Sequence, residues 1–397
     1  MSAVFHRLGY SIGMTLHGVE LFAGGGGLLL GSSLAGVEHV AAVEWNRWAC
    51  QTMRENAAAQ HPLVAGLKVL EGDVRDVRWS DVVGDVDIDL VTGGPPCQPF
   101  SLGGLARSAD DPRDMFPAMT EVIAELRPKA FIVENVKGLT REAFKEYFDY
   151  VKLRLQFPAL RSTDGEDWRH HWQRLQGEHS EIDADMRYEL TTTVVNAADY
   201  GVPQHRHRVF IVGFRSDIEV DWEFPVSTHS GAALALAQAE GAYWDKWSVP
   251  AGHRVHVRRK PLDDGKLPWR TVREALADIP IPQDGGTPGW LDHVYQPGAR
   301  SYPGHTGSPL DEPSKALKAG GHGVPGGENM IRYPNGDVRY YSTREAARIQ
   351  TFPDDYALHG AWGEAMRQIG NAVPVELARI VVSSVAESLK ASLVSSK

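Results

Sequence analysis

Short apolar runs, each ending in glycine or a polar group, recur along the first half of the chain. Val19 to Phe22 runs into Gly24 to Gly27 and a helical Leu28-Leu29-Leu30, and Val40 to Val43 ends at Glu44-Trp45. Lys68 to Leu70 precedes Gly72-Asp73, and Asp89 to Thr92 precedes Gly93-Gly94-Pro95-Pro96. Ala130 to Val133 precedes Glu134-Asn135, and Val209 to Val212 ends at Gly213. Such runs, alternating with helix-length segments, predict an α/β domain of βαβ units around a parallel sheet. Ligands of such sheets bind beyond the carboxyl ends of the strands. The polar groups just named all sit at those ends.

From about Arg215 to Gly327 prolines and glycines crowd in and helical periodicity fades, which predicts a small, loop-rich second domain. Ser342 to Gln350 then reads as a helix with Thr343 as its N-cap, and Pro374 towards Leu393 as a final helix. The boundaries expected are residues 1–214 for the first domain, 215–341 for the second and 342–397 for a segment that returns to the first. Within the first, the polar stretch Leu153 to Arg187 reads as an insertion.

Composition narrows the class. With 42% hydrophobic and 23% charged residues in 397, the chain is globular. No apolar run is read as approaching the roughly 20 residues of a membrane span, and Met1 to Gly13 lacks an apolar signal core. A cytoplasmic protein with no membrane partner is expected. Two cysteines, Cys50 and Cys97, argue against a disulfide scaffold, and the scattered histidines give no readable metal site. A net charge of -10 disfavours nucleic acid on average. Locally, Arg254, Arg258, Arg259, Lys260, Lys266, Arg270 and Arg273 are opposed only by Asp263 and Asp264. Taken alone, that run is a solvated face.

A strand, a glycine turn, a helix and an acid about 20 positions on form a nucleotide-binding arrangement. Glu44 can accept both hydroxyls of a ribose, Trp45 offers a face to adenine, and Asp73 can take its amino group. These residues point to an adenosine site without deciding between NAD and S-adenosylmethionine. The lack of a cation near the turn to meet a pyrophosphate leans towards the methyl donor.

Gly93 to Ser101 places Cys97 between prolines directly after a strand, over the ligand edge of the sheet. Cys50, between Trp48 and Met53, reads as a buried hydrophobe. Glu134 brings a carboxyl to the same edge. In an extended segment Gln204, Arg206 and Arg208 point together, so a nucleophile, an acid and paired arginines converge beside the adenosine site.

On these residues the chain resembles a bacterial DNA (cytosine-5)-methyltransferase of restriction-modification type. Six ordered motifs carry the resemblance, from Val19 to about Leu377: Phe22 to Gly27, Pro95 to Ser101, Glu134-Asn-Val136, Gln204 to Arg208, Arg344 to Pro353, and Gly370-Asn-Ala-Val-Pro374. Glu20 stands where aspartate is commoner in that family. The resemblance implies a Rossmann-like S-adenosylmethionine-dependent methyltransferase domain with a smaller loop-rich target-recognition domain between Arg215 and about Gly327. It implies Cys97 as nucleophile on cytosine C6, Glu134 at N3, and Arg206 and Arg208 holding O2 and supporting the thiolate, with the base flipped out of duplex DNA. Cofactor contacts carried over are Phe22, Gly24, Gly26, Gly27, Glu44, Trp45, Asp73, Val74, Pro96, Asn371 and Val373. DNA contacts are expected from Ser101, Arg254, Arg258, Arg259 and Lys260. A monomer is expected, nucleoid-associated in a bacterium. The compact form, with its first motif starting by Val19, suggests protection of DNA from a cognate endonuclease acting on the same site. An NAD oxidoreductase, an RNA cytosine methyltransferase and an inactive DNA-binding regulator are the competing readings.

Overall fold

The structure, a computed structural model, describes residues 14–96, 114–177, 182–257, 260–319 and 328–395. Cys97, Ser101, Arg258, Arg259 and the glycines at 320–323 lie outside them. The chain divides into two compact units. The first comprises Met1–Val195, His207–Pro225 and Ala378–Lys397; the second comprises Asn196–Arg206 and Val226–Leu377. The division therefore differs from boundaries drawn at 214/215 and 341/342. Residues 342–377 group with the second unit because their buried side chains bond to loops within it.

Unit 1 is built on a sheet of seven strands in the order β3-β2-β1-β4-β5-β7-β6. They are β1 (Leu16–Leu21), β2 (Val37–Glu44), β3 (Lys68–Glu71), β4 (Leu90–Gly93), β5 (Ala130–Val136), β6 (Tyr188–Asn196) and β7 (His207–Arg215). β1 pairs in parallel with both β2 and β4, and β4 with β5. The strand order reverses at β1/β4, the place where open α/β sheets leave a crevice for ligands. β7 runs antiparallel to β5, with Glu134 opposite Phe210. That corrects the all-parallel expectation: the run Val209 to Val212 follows another strand, β6, and not a crossover helix.

Helices α1 (Gly27–Leu34), α2 (Arg47–Ala58), α3 (Trp79–Val83), α4 (Phe116–Leu126), α5 (Lys145–Gln156) and α6 (Trp168–Gly177) complete this unit's first part. The stretch expected to be a polar insertion is instead part of the main core. Leu155, Phe157, Trp168 and Leu175 are buried with Val91, Phe131 and Met119 in one apolar cluster. His171 is fully buried, its Nδ1 and Nε2 both 2.9 Å from partners, the Tyr150 hydroxyl and the Leu160 carbonyl.

Unit 2 is mostly loops with short elements: α7 (Gly231–Glu240), α8 (Ala242–Lys246), α9 (Val272–Ala275), two-residue strands β8 (His229–Ser230) and β9 (Leu267–Pro268), and a small sheet of β10 (Ser308–Pro309), β11 (Met330–Arg332) and β12 (Val338–Tyr340). Two helices follow, α10 (Thr343–Ile349) and α11 (Trp362–Asn371). The N-cap of α10 is Ser342, not Thr343: Ser342 and Glu345 form a reciprocal capping box. The last helix, α12 (Val375–Ser395), buries Val381, Val385 and Leu389 along one face. By length and composition the stretch Trp362–Val394 could cross a membrane, which the sequence reading did not anticipate. Its apolar window is 67% buried inside the fold, as in a core helix.

Candidate active site

The carboxyl edge of unit 1 begins with a turn that holds itself open. Phe22 adopts φ 55°, unusual for a residue with a side chain, and packs against the core. Gly24 and Gly26 follow with φ 55° and 93°, a left-handed geometry that glycine tolerates without a Cβ clash. Gly26 leads directly into α1 at Gly27. Glu44, at the end of β2, fastens this turn: one carboxylate oxygen accepts from the Gly24 amide at 2.7 Å, the other from the Asn46 amide at 2.7 Å. Asn46 in turn caps α2, accepting from Trp48 and Ala49. Trp45 stands between them, 71% exposed. Each carboxylate oxygen has a second lone pair, so Glu44 keeps acceptor capacity for a ligand's hydroxyls.

Beyond β3, Asp73 accepts from the Arg75 amide at 2.9 Å and pairs with its guanidinium at 2.5 Å. The Arg75 hydrogen bond holds the Asp73 carboxyl below its ordinary range. Val74, next in the chain, is buried. Asp73 is thus already partnered, which its position after a strand did not reveal; a ligand's amino group has to share it or displace Arg75.

Past β4, Pro95 is buried and Pro96 exposed. Asn135 donates to the Pro95 carbonyl at 2.9 Å, so β5 anchors the start of the Pro-Pro-Cys segment. Met115 donates its amide to Pro96 at 3.3 Å and closes the far side. Asp114 there accepts from the Tyr147 hydroxyl. Sequence reasoning quoted Asn135 without a task; its task is to hold this base.

Glu134 and Arg208 meet on neighbouring strands, Arg208 Nε lying 2.5 Å from Glu134 Oε1 with both side chains largely buried. A side chain at Gly94 would sit 3.2 Å from the other carboxylate oxygen, so glycine leaves that oxygen room. Cys50 is settled as structural. It is buried, its thiol donates to the Glu44 carbonyl at 3.2 Å, and burial, reinforced by Glu44 and Glu71, pushes it up to about 12.

Arg206 lies outside the strand that carries Arg208. β7 begins at His207, and residues 204–206 belong to unit 2, where His205 donates to Ser314. Arg206 is 1% exposed and donates to the carbonyls of Leu317 at 2.9 Å and Gly370 at 2.6 Å. Gln204 bonds to Leu317 and Gln350, and Gln350 to Ile369 and Ala372. Three of the sequence motifs are thus tied together inside unit 2. Charged donors contribute about 1.5–3 kcal/mol per bond. Arg206→Met is therefore expected to destabilise the protein by roughly 3 kcal/mol or more, seen as a lower denaturation midpoint in urea. Also in unit 2, Asn371 is exposed at the end of α11 and Val373 is buried.

Four of the five described cations of the basic run are paired with acids. Arg254 pairs with Asp245, Lys260 with Glu240, Arg270 with Glu274 and Arg273 with Asp311. The exposed pairs, those of Arg254 and Lys260, contribute little to stability, whereas Arg273 is held to the buried Asp311 by two bonds. Arg254 and Lys260 can turn to phosphate only by leaving those carboxylates.

Comparison with known proteins adds an independent line. A family profile described as C-5 cytosine-specific DNA methylase matches residues 16–157 and 179–387. The chain is 32% identical over 381 residues to the type II methyltransferase M.PspPI of a Psychrobacter species, covering 94% of this chain and 79% of that protein. It is 30% identical over 372 residues to the type II methyltransferase M.NgoFVII of Neisseria gonorrhoeae, covering 92% and 86%. Among solved structures, that of the S. pombe Dnmt2 methyltransferase superposes with a TM-score of 0.56 at 17% identity, covering 94% of this chain and 98% of that one. At that identity the likeness speaks for the fold alone.

Proposed function

The chain belongs to the C-5 cytosine-specific DNA methylase family and is a DNA cytosine-5-methyltransferase, and from that premise we propose that it methylates a cytosine flipped out of a short sequence in double-stranded DNA. The route proposed is covalent, through Cys97, with S-adenosylmethionine as donor. One observation carries the reading: a carboxyl-guanidinium pair, Glu134 and Arg208, shares the edge of one sheet with the Glu44-braced glycine turn.

Flipping is required because attack at C6 and methyl transfer to C5 come from above and below the ring, and stacked neighbours cover both faces. C5 of cytosine is a weak nucleophile. Adding the Cys97 thiolate to C6 moves the C5–C6 electron pair onto C5, which then attacks a methyl group. As the thiolate adds, Glu134, which takes up a proton when the base binds, passes it to N3, and Arg208, holding that carboxyl in place, faces O2. Water then takes the C5 proton, the C5–H electron pair expels the thiolate from C6, and N3 returns its proton to Glu134, which restores the aromatic ring. S-adenosylmethionine, when bound, supplies the sulfonium-activated methyl. The residues of unit 1 fit it: Glu44 for the ribose, Trp45 and Asp73 for the adenine, the turn from Phe22 to Gly27 for close backbone approach, with Val74 and Pro96 as further contacts; Asn371 and Val373 are proposed as contacts from the family resemblance alone. DNA contacts are assigned to Ser101, Arg254, Arg258, Arg259 and Lys260. In the cell this activity protects DNA from a restriction endonuclease reading the same sequence, the role to which the relatives' type II names point.

DNA carrying 5-fluorocytosine at the target tests the route, since fluorine cannot leave as a proton. The expected product is an adduct mapped by peptide mass spectrometry to Cys97. A label on Cys50, or no adduct despite active turnover on ordinary DNA, overturns it. Bisulfite sequencing of DNA from expressing cells identifies the recognised sequence.

A further inference from the structure

β1 carries an acid that the mechanism above does not use. Glu20 is 1% exposed, flanked by Ala42 on β2 and Thr92 on β4. The Thr92 hydroxyl donates to its Oε2. Thr92 pairs with Ile132, two residues before Glu134. Partners in register and residues two apart share a face of the sheet, so Glu20 and Glu134 project to the same side.

A buried carboxyl facing a second carboxylate, with no cation of its own among the described contacts, keeps its proton. Burial pushes Glu20 from the ordinary 4.5 to about 8, with the Thr92 hydroxyl opposing and Glu134 adding to the rise. The groups facing it are Thr92 on β4, apolar Ala42 on β2 and Glu134 on β5, behind which stands Arg208 on β7.

We propose that Glu20 is a positioning residue for Glu134: a neutral acid whose uncharged state leaves Glu134 and Arg208 as the facing charges of this edge, and whose ionisation sets a second carboxylate against Glu134. This rests on the reading of Glu134 as the group that meets N3. Aspartate at this position would be one methylene shorter, so the longer side chain is what brings the second acid up to Thr92.

The test has two arms, one for activity and one for the buried proton. In the first, methyl transfer to DNA is measured from about pH 6 to about pH 9. The wild-type kcat is expected to fall as pH passes about 8. In Glu20→Gln, the isostere of the protonated acid, that midpoint moves up by roughly one unit, with KM for DNA changing less than about threefold. In the second arm, thermal unfolding is followed from about pH 5 to about pH 9. An acid raised in the folded state loses stability as pH climbs from its unfolded value to its folded one. The gain in Tm of Glu20→Gln over wild type is therefore small near pH 5 and reaches roughly 3 °C near pH 8.5. Superimposed alkaline limbs, or a Tm difference flat with pH, would overturn the proposal. Wild-type protein that transfers no methyl to cytosine would instead sink the functional reading, while the thermal arm still reports the proton. Should Glu20→Gln not fold, Glu20→Met serves in both arms.

Discussion

Cys97→Ala is expected to abolish methyl transfer, by at least roughly 10⁴-fold, while S-adenosylmethionine binding stays within a few-fold. The asymmetry follows from where the two tasks reside. Without a thiolate on C6, C5 never gains the electron pair it needs, and nothing else proposed for this edge can supply it. The groups assigned to the donor are built separately: Glu44 fastens the Gly24 turn through backbone amides and Asn46 caps α2. Transfer of a labelled methyl group to DNA reads the first quantity and calorimetric titration with S-adenosylmethionine the second. Retained turnover would exclude covalent catalysis. Joint loss of turnover and binding would show that Cys97 supports the fold.

Glu134→Gln is expected to lower the single-turnover rate by roughly 10²–10⁴-fold, the range for a positioned acid or base. Glutamine nearly preserves shape but cannot deliver a proton to N3, and it removes the charge that faces Arg208 at 2.5 Å. DNA affinity should change less than about tenfold, because duplex binding is carried chiefly by phosphate contacts. Rapid-quench measurements with enzyme in varied excess over DNA separate the two, the plateau rate reporting chemistry and the half-saturation point affinity. A loss under tenfold in the chemical step would remove Glu134 from the reaction.

Much of this site was legible in the sequence because its residues sit at strand ends, and strand ends are marked by where an apolar run stops. Glu44, Asp73 and Glu134 all fall at or just beyond their strands, as the runs imply. The failures have physical causes. Alternation was extended back to Arg206, but an alternating pattern does not say where the strand starts, and the carbonyls that claim Arg206 lie more than a hundred residues away. The stretch after Leu153 looked like an insertion because its average is polar. Trp168, His171 and Leu175, buried at helical spacing, carried the contrary signal. The basic run looked unopposed because its acids, Glu240, Asp245 and Asp311, lie outside it in the chain. Family membership was visible from ordered motifs, several of which prove to be structural: Arg344 is fully buried and donates to the carbonyls of Leu291, Pro353 and Tyr356.

The way the chain threads between its units constrains its birth on the ribosome. Unit 1 needs Ala378–Lys397, and Arg206 of unit 2 waits for Gly370. Neither body can close before these residues have left the exit tunnel, although a domain built from one continuous stretch can fold as it emerges. The apolar faces that these residues cover therefore stay exposed until then, and a chain cut before Gly370 should be insoluble and not a working fragment.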